Sequence, residues 1–354
     1  MGKLVGMSHR TEGLHVAVVG ATGMVGQEMF RVLRQRKFPV ARLKALASER
    51  SAGSEVRWNG SAVPVEALGE GSFEGVDVAL FSAGAGVSLA HAPAAVEAGA
   101  LVIDNSSAWR MKEHVPLVVP EVNAADIAAG EGIIANPNCC AIPLTVVLEP
   151  LRRAAGLERV VVATYQSASG AGKVLVDELE EQTRAIAGGD AIETRAYPHQ
   201  LANNVVPGGW PAEDGGYNEE EVKIVNEIRK ILHAPELRAV ATCVRVPVPV
   251  GHGEAVFLET GRELDLDEAR AILDTAPGVV VRDGPGDQDY PTPASTAGTD
   301  EVFVGRIRRD GSTPRGLALW IVSDNLRKGA ALNAVQIAER ALEMGILERG
   351  VRHG

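Results

Sequence analysis

One cysteine stands where covalent chemistry is most easily supported. Cys139 ends the stretch Asn136-Pro137-Asn138-Cys139, just before a predicted helix at about 143–155. The first N–H groups and the dipole of a helix stabilise an anion, so a thiol there ionises more easily than a free thiol, whose pKa is roughly 8.5. A buried, inert cysteine is the alternative, and Cys140 fits that description better. Cys139 is therefore the candidate nucleophile.

A candidate acid–base residue and a candidate ion pair lie in the second half of the chain. His252 follows Gly251 at the end of a proline-rich run that begins at Arg245. Imidazoles titrate near neutral pH, which suits general acid–base catalysis. Glu220 and Lys223 are three residues apart in a predicted helix at 219–232, so they share one face. This pair belongs either to a site or to an ordinary solvated surface.

A glycine-rich turn follows the first predicted strand, at 15–20, and precedes a predicted helix at 27–36. Gly20 permits a tight turn, Gly23 lets the backbone approach a pyrophosphate, and Gly26 lets helix and strand pack closely. The spacing is GxxGxxG rather than GxGxxG, so a turn without a ligand is the alternative. We predict that the turn binds a dinucleotide through Gly20, Thr22, Gly23, Met24, Val25 and Gly26.

The end of the second predicted strand, at 43–47, bears on the choice between NAD and NADP. An NAD-binding protein usually places a carboxylate there to hold the ribose hydroxyls. Here Ser48, Arg50 and Ser51 offer a cation and two hydroxyls, which suit a 2′-phosphate. Glu49 is the one residue that would suit NAD. The sequence favours NADP.

Strands and helices alternate through the first part of the chain. The pattern predicts further strands at 76–81 and 101–103 and a helix at 88–98. Such alternation is typical of a parallel, doubly wound sheet of the Rossmann type. The predicted fold class is therefore α/β, with a second domain of α+β type after residue 137.

The second part of the chain mixes strands, helices and long loops. It predicts helices at 143–155, 173–187 and 219–232, strands at 160–165, 240–250, 255–260, 302–308 and 317–323, and loops at 197–216 and 283–298. An Ala-rich helix at 330–347 is expected to return to the first domain. We thus predict a nucleotide-binding domain at 1–137, completed by 326–354, and a catalytic domain at 138–325.

Composition excludes several classes of protein. The 354 residues are 45% hydrophobic and 23% charged, with a formal net charge of −11, which argues against a general nucleic-acid binder. An anionic substrate would need a local cluster of Arg and Lys.

The three cysteines show no zinc-type spacing, so no metal site is predicted. Residues 1–13 lack a secretion signal and no stretch is long enough to span a membrane, so a cytoplasmic protein is expected.

Seven motifs in order resemble the aspartate-β-semialdehyde dehydrogenase family. They are GATGMVG at 20, ASERSAG at 47, SSAWRMK at 106, NPNC at 136, TYQSASGAG at 164, CVRVPVPVGH at 243 and DNLRKGAALNAVQ at 324. The resemblance covers residues 15–347. It implies NADPH-dependent reductive dephosphorylation of L-aspartyl-4-phosphate to L-aspartate-4-semialdehyde, in the biosynthesis of lysine, threonine, methionine and diaminopimelate.

The resemblance also implies roles for individual residues. Cys139 would attack the acyl carbon and form a thioester, His252 would be the acid–base residue, and Asn138 would help to orient the reacting group. Substrate recognition would involve Gln166, Arg245 and Glu220, with Arg245 pairing with the α-carboxylate and Glu220 receiving the α-ammonium. The departing phosphate would be bound by Arg110 and Lys223, and further cofactor contacts would come from Ser169, Gly170 and Asn325.

The same resemblance implies a homodimer or homotetramer built through the second domain, with a small-molecule substrate as the other partner. Two departures from the family pattern are Cys140-Ala141 after the nucleophile and Gly253 after His252, where small hydroxyl residues are common. An N-acetyl-glutamyl-phosphate reductase, a malonyl-thioester or succinyl-type reductase, and a catalytically inactive NADP-binding relative are the competing interpretations. The enzymes among them have no use for Glu220, because their substrates carry no free α-ammonium.

Overall fold

The computed structural model describes residues 13–284 and 288–349, which form two β-sheets with helices packed against them. The first sheet contains β1 (Leu14–Val19), β2 (Val40–Ala47), β3 (Glu55–Trp58), β4 (Ser61–Ala67), β5 (Val78–Phe81), β6 (Leu101–Asp104) and β7 (Ile133–Ala135). Its strand order is β3-β4-β2-β1-β5-β6-β7, and only the β3–β4 pair is antiparallel.

This sheet confirms the predicted Rossmann-type architecture. Strands β5, β6 and β7 are buried along their whole length, which is why they appear in the sequence as short apolar runs without alternation. β1 pairs with both β2 and β5, so the strand order reverses at its carboxyl end. Ligands bind in the crevice at such a reversal, and the glycine turn begins at this point.

Helices cover the first sheet on both faces. They are α1 (Met24–Gln35), α2 (Ala85–Glu97), the short α3 (Pro120–Asn123) and, from the end of the chain, α9 (Leu332–Glu343) and α10 (Ile346–Arg349). α9 packs against α1 and β6, and its apolar residues join those of β1 and α1 in one buried cluster. The C-terminal helix is therefore part of the layer that supports the glycine turn.

The second sheet confirms the predicted α+β character of the rest of the chain. It contains β8 (Arg159–Gln166), β9 (Arg238–Arg245), β10 (His252–Glu259), β11 (Val279–Val281), β12 (Val302–Asp310) and β13 (Gly316–Ser323), in the order β11-β12-β13-β10-β8-β9. Its helices are α4 (Ala141–Ala155), α5 (Lys173–Gly188), α6 (Glu219–Ile231), α7 (Leu266–Asp274) and α8 (Pro293–Thr296). α4 contacts β12, β13, α6 and α7, and this layer forms the core of the second part.

Several predicted elements begin or end a few residues away from their predicted bounds, and two of them are cut short or interrupted. The strand expected at 240–250 ends at Arg245, because Pro247 and Pro249 have no N–H for a sheet ladder, and β10 already begins at His252. The last helix is interrupted twice: a π-helical turn spans Arg327–Ala331, and Gly345 separates α9 from α10 with a φ of +69°. The β3–β4 hairpin and α7 were not predicted at all.

The two predicted loops differ in outcome. Residues 197–216 contain only isolated bridges and one 3₁₀ turn, as expected. The loop predicted at 283–298 includes α8, which starts with a capping box between Thr292 and Ser295, and residues 285–287 lie outside the described part. Within the described residues, no helix has the length and apolar character that crossing a membrane requires.

Candidate active site

The sulfur of Cys139 lies beside the imidazole of His252. Cys139 is half-buried and precedes the first residue of α4 by two positions, while His252 is the first residue of β10. The distance from Cys139 Sγ to His252 Nε2 is 3.3 Å. The structure thus brings together two groups that are 113 residues apart in the chain, in the geometry of a nucleophile and its acid–base partner.

The pKa values of the two adjacent cysteines are shifted in opposite directions. The neighbouring Cys140 thiol is the largest cause of a pKa of Cys139 that lies well below its usual value; the His252 imidazole and the Arg110 guanidinium lower it further, and burial opposes this. Burial and the neighbouring Cys139 raise the pKa of Cys140 well above its usual value. Of the two, Cys139 is therefore the more readily ionised thiol.

A buried acid lies below the cysteine pair. Burial raises the pKa of Glu254 well above its usual value, with a further contribution from the negative charge of Cys139. Within the described residues neither of its carboxyl oxygens has a geometrically defined hydrogen-bond partner. The buried position of Glu254 therefore favours its neutral form.

Asn138 holds the turn that carries Cys139. Its Oδ1 accepts from the Cys140 N–H at 2.8 Å, and its Nδ2 donates to Glu220 Oε1 at 2.9 Å. Its own backbone N–H donates to Glu227 Oε2 at 2.5 Å. Gln166 Nε2 donates to the same Glu220 Oε1 at 3.0 Å. The three predicted residues Asn138, Gln166 and Glu220 therefore form one connected group.

His252 is oriented from its far side by Ser167. The Ser167 N–H donates to His252 Nδ1 at 3.0 Å, and Ser167 Oγ lies 3.0 Å from the same nitrogen. Because a backbone N–H can only donate, Nδ1 is an acceptor, and the neutral ring carries its proton on Nε2, towards Cys139. Asn325 Oδ1 in turn accepts from Ser167 Oγ at 3.1 Å and from the Gly251 N–H at 2.8 Å.

Arg245 is buried at the end of β9, and part of its guanidinium is left for a ligand. Its Nη1 donates to the Ser167 carbonyl at 2.7 Å, whereas its Nε is buried and has no hydrogen-bond partner among the described residues. The guanidinium carbon lies 4.8 Å from the Trp210 ring and 5.8 Å from the Tyr197 ring. A buried cation with an unused donor suits a planar anion such as a carboxylate.

The predicted phosphate-binding residues have partners of their own. Arg110 Nη1 pairs with Glu227 at 3.0 Å, Nε donates to Asn136 O at 3.0 Å, and Nη2 donates to Asn105 O at 2.9 Å. Lys223 pairs with Glu219 at 2.6 Å, so the ion pair considered between Lys223 and Glu220 does not form. Glu219 is four residues before Lys223 and lies on the same face of the helix, so Lys223 reaches it. Glu220 instead accepts hydrogen bonds from the side-chain amides of Asn138 and Gln166.

Several of these side chains line one cavity of about 250 Å³, whereas His252 is not part of its lining and contacts it through Cys139. Its lining contains every predicted substrate and phosphate residue together with four of the predicted cofactor residues. The full set is Val25, Asn105, Ser107, Arg110, Pro137, Asn138, Cys139, Gln166, Ser169, Gly170, Trp210, Glu220, Lys223, Arg245, Asn325, Leu326, Gly329 and Ala330.

The glycine turn has the geometry that a pyrophosphate needs. Gly20 has a φ of +84°, and a Cβ on Gly26 would lie 2.2 Å from the Gly20 carbonyl oxygen. Gly23 is the N-cap of α1 and provides no side-chain cap, so the first N–H groups of the helix remain available to an anion. Val25 connects this helix start to the cavity.

The residues expected to distinguish NADP from NAD lie outside the cavity. A 3₁₀ turn at Glu49–Ser51 follows β2, with Ser48 and Arg50 exposed. The Gly20 N–H donates to Leu46 O of β2 at 2.9 Å, so this turn is next to the glycine turn. Exposed hydroxyls and a guanidinium there are accessible to the far end of a dinucleotide.

Sequence reasoning did not identify several residues of the site. Glu227 lies seven residues after Glu220 in α6, and helical periodicity could have placed both on one face. Ser167 lies inside a quoted motif but had no assigned role. Trp210 belongs to an irregular loop, and Gly329 to the π-helical turn, so no periodic signal marks either of them.

The departure at Gly253 has a structural explanation. A Cβ at Gly253 would lie 2.5 Å from two atoms of the Trp320 ring, which occupies the space that a serine side chain would need. Trp320 in turn donates from Nε1 to Pro291 O at 2.9 Å and packs edge-on against Tyr165 at 5.4 Å. The glycine therefore accommodates a tryptophan on the neighbouring strand and leaves His252 unaffected.

Comparison with known proteins assigns the two parts of the chain to one family. Residues 15–130 match the family described as "Semialdehyde dehydrogenase, NAD binding domain". Residues 148–328 match "Semialdehyde dehydrogenase, dimerisation domain". The two matches correspond to the two sheets.

Individual relatives agree over nearly the whole chain. The aspartate-semialdehyde dehydrogenases of Bacillus subtilis and Aquifex aeolicus are 50% and 49% identical to it, each match covering 95% of this chain and at least 99% of the relative. The Vibrio cholerae aspartate semialdehyde dehydrogenase II complexed with ASA has a TM-score of 0.92 at 46% identity, covering 94% of this chain and 99% of that one. The Candida albicans enzyme with NADP has a TM-score of 0.72 at 26% identity, covering 94% and 99%. This chain belongs to the aspartate-semialdehyde dehydrogenase family.

Proposed function

We propose that this chain reduces L-aspartyl-4-phosphate to L-aspartate-4-semialdehyde and inorganic phosphate, in the biosynthesis of lysine, threonine, methionine and diaminopimelate. The observation that carries the proposal is the 3.3 Å separation of Cys139 Sγ and His252 Nε2 beside a cavity lined by Arg245 and Glu220. The names of the relatives support the same reaction. It makes the chain an oxidoreductase that works through a covalent intermediate on its own cysteine.

The first step is attack of the Cys139 thiolate on the acyl carbon. A carbon–sulfur bond forms, and the carbonyl oxygen becomes an oxyanion. In the described part of the chain the Cys139 N–H donates to no other residue, so it is available to this oxyanion. The carbon–oxygen bond to phosphate then breaks, and Arg110 and Lys223 hold the departing phosphate on the cavity wall.

In the second step the thioester on Cys139 is reduced and the aldehyde is released. The glycine turn, Ser169, Gly170 and Asn325 would hold a nicotinamide nucleotide, which would supply the hydride for this reduction when bound. His252 keeps its proton on Nε2, next to the sulfur. There it stabilises the sulfur as the carbon–sulfur bond breaks and the aldehyde is released.

Recognition of an α-amino acid follows from two unused groups. Arg245 lines the cavity, and no described residue accepts from its Nη2, which is therefore available to the α-carboxylate. Glu220 accepts two amide hydrogen bonds on Oε1, whereas no described residue donates to its Oε2. That free oxygen suits an α-ammonium group. Gln166 contributes by holding Glu220 in place.

The competing enzymes fit this arrangement less well. An N-acetylated or amine-free substrate would leave Glu220 Oε2 without a partner in a half-enclosed site, which carries a desolvation cost. A catalytically inactive relative would not need Cys139, His252 and Arg245 gathered at one cavity. The site therefore favours a free amino acid substrate and an active enzyme.

We propose NADP as the preferred cofactor. Ser48, Arg50 and Ser51 surround the end of β2, where a 2′-phosphate would lie, and Arg50 supplies the positive charge. Initial rates with NADP⁺ and NAD⁺ at equal concentration test this. The Arg50→Ala enzyme should lose most of the preference, and a preference for NAD⁺ in the unchanged enzyme would contradict the proposal.

We also propose a homodimer or homotetramer that assembles through the second sheet. Alternate residues of its strands form a face that is left uncovered by the helices, with Tyr165 and Phe257 39% and 37% exposed. Large apolar side chains on an open sheet face usually mark an interface.

The proposed domains are 1–137 with 326–354, and 138–325. The three free thiols suit the reducing cytoplasm, where we place the protein.

The function is tested in the reverse direction. Purified protein, given aspartate semialdehyde, inorganic phosphate and NADP⁺, should produce NADPH. Cys139→Ala should lower the rate by at least about 10³-fold while cofactor binding remains. If instead the Cys140→Ala variant is inactive and Cys139→Ala is active, the wrong sulfur has been assigned.

A further inference from the structure

The irregular segment 197–216 carries two aromatic rings that contact Arg245. The Trp210 ring lies 4.8 Å from the guanidinium carbon, and the Tyr197 ring lies 5.8 Å from it. Tyr197 is buried, whereas Trp210 is partly exposed and lines the cavity. No role has been given to this segment so far, although it is one of the longest irregular stretches in the chain.

The segment is built so that these rings stay in place. The Tyr197 hydroxyl donates to the Gly208 carbonyl oxygen. Gly209 has a φ of +90°, and a Cβ there would collide with the Tyr197 ring, at 2.2 Å. Val206 exchanges two backbone hydrogen bonds of 2.9 Å with Arg245 itself. The loop is therefore attached to the arginine's own backbone and also places two aromatic rings within cation–π distance of its guanidinium.

The aromatic rings matter because few other contacts fix the position of the Arg245 guanidinium. Its side chain has one hydrogen bond, from Nη1 to Ser167 O, and no described carboxylate lies within ion-pair distance of it. Aromatic faces attract a guanidinium electrostatically and stack parallel to it, while its N–H edge stays unused. Contact with the rings thus holds the guanidinium without competing for the N–H donors that a ligand needs.

We infer that Trp210, backed by Tyr197, is a positioning residue that holds Arg245 in the plane required to bind the substrate's α-carboxylate. This deepens the proposed function and rests on the assignment of Arg245 to that carboxylate. The ligand class is a small molecule with a planar α-carboxylate next to a free α-ammonium. Trp210 acts through Arg245 and takes no part in the thiol chemistry.

The kinetic test compares Trp210→Ala with Trp210→Phe. The alanine variant should raise KM for aspartate semialdehyde about tenfold, with kcat changed by less than about threefold. KM for phosphate and for NADP⁺ should not change. Phenylalanine keeps an aromatic face and should restore most of the affinity. A Trp210→Ala enzyme with unchanged KM for the semialdehyde would overturn the inference.

Two controls separate positioning from a general structural effect. The aldehyde without the α-carboxylate, 3-aminopropanal, should be a poor substrate whose kcat/KM is the same in Trp210→Ala and the unchanged enzyme. In an Arg245→Met background, Trp210→Ala should have no further effect on KM for the semialdehyde. Equal losses in both backgrounds, or with both aldehydes, would show that Trp210 acts independently of Arg245 and would contradict the inference.

A binding measurement tests the contact between Trp210 and Arg245 without requiring catalysis. The chain has four tryptophans, and the emission of Trp210 should change when L-aspartate binds. That change should be absent in Trp210→Phe and preserved in Trp58→Phe, where the substituted residue lies in β3 of the other sheet. A response to aspartate without semialdehyde turnover would refute the proposed function and support the inference. Turnover with no response from Trp210 would refute the inference alone.

Discussion

At the scale of single residues, the site depends on two neighbouring sulfurs that behave differently. Cys139 is reached by a thiol donor, an imidazole and a guanidinium, and all three favour its negative charge. Cys140 is fully buried and remains protonated. Cys140 is therefore more than a space-filling residue of the core, because its thiol favours the ionised form of the neighbouring nucleophile.

Cys140→Ala should raise the pKa of the Cys139 thiol, because it removes the hydrogen bond that is the largest cause of the low value. Thiolate is lost as pH falls through the pKa, so the variant should lose reactivity at a higher pH than the unchanged enzyme. The rate of alkylation by iodoacetamide, measured against pH, reports this midpoint. At pH 8 the loss of kcat should be less than about threefold.

Cys140→Ser is the matched control for this experiment. A serine hydroxyl can still donate to the Cys139 sulfur, so the midpoint should stay close to that of the unchanged enzyme. A midpoint that moves to lower pH in Cys140→Ala, or that is the same in all three proteins, would contradict the role given to Cys140.

At the scale of elements, the π-helical turn Arg327–Ala331 joins the two parts of the molecule at the active site. Arg327 pairs with Glu28 of α1 and with Asp300, each at 2.5 Å, and the buried Lys328 pairs with Glu121 at 2.6 Å. Gly329 follows these two residues and packs directly against Cys139. π-helical turns frequently occur at functional sites, and here the extra residue brings backbone close to the nucleophile.

Gly329→Ala should lower kcat by about ten- to a hundredfold, because a Cβ there would lie 3.1 Å from Cys139 Cβ and 3.2 Å from its carbonyl oxygen. These are tight contacts with backbone, so the nucleophile must shift by a few tenths of an ångström. The melting temperature should change little. Steady-state kinetics and thermal unfolding measure the two effects.

Gly86→Ala provides the control, because it lies in α2, where a Cβ meets nothing within 4 Å. It should keep full activity and gain slightly in stability. If Gly329→Ala retains the kcat of Gly86→Ala, close packing of the turn on Cys139 is not important for the reaction.

At the scale of the whole molecule, one face of the second sheet has no helix packed against it and exposes large apolar side chains. Phe257, Tyr165 and Trp320 lie on this face, with Arg308 5.9 Å from the Phe257 ring. The opposite face of the same strands carries His252 and packs against α4. Assembly through the open face would therefore stiffen the sheet that positions the imidazole.

Phe257→Asp should dissociate the assembly, because it places a charge in the middle of the proposed interface. Sedimentation velocity should show a monomer at micromolar concentration, with activity reduced in parallel. Leu89→Asp is the control: this residue is 51% exposed on α2 of the first part, and the variant should remain assembled. An unchanged sedimentation coefficient for Phe257→Asp would show that the subunits associate elsewhere.

The sequence by itself determined the features that depend on neighbouring residues. Apolar runs specify the buried strands, glycine spacing specifies the turn before α1, and the position of Cys139 before a helix indicates a reactive thiol. Each of these follows from backbone preferences over a few residues, which local patterns record. The main errors were also local: prolines ended β9 early, and a π-helical turn changed the start of α9.

Only the tertiary structure decided which of these groups meet. The approach of Cys139 to His252 depends on the packing of α4 against a sheet whose register places His252 at the first position of β10. The choice of Glu219 as the partner of Lys223, the free oxygen of Glu220 and the stacking of Trp210 on Arg245 are set in the same way. Contacts between residues far apart in the chain depend on packing and register, and no local pattern contains that information.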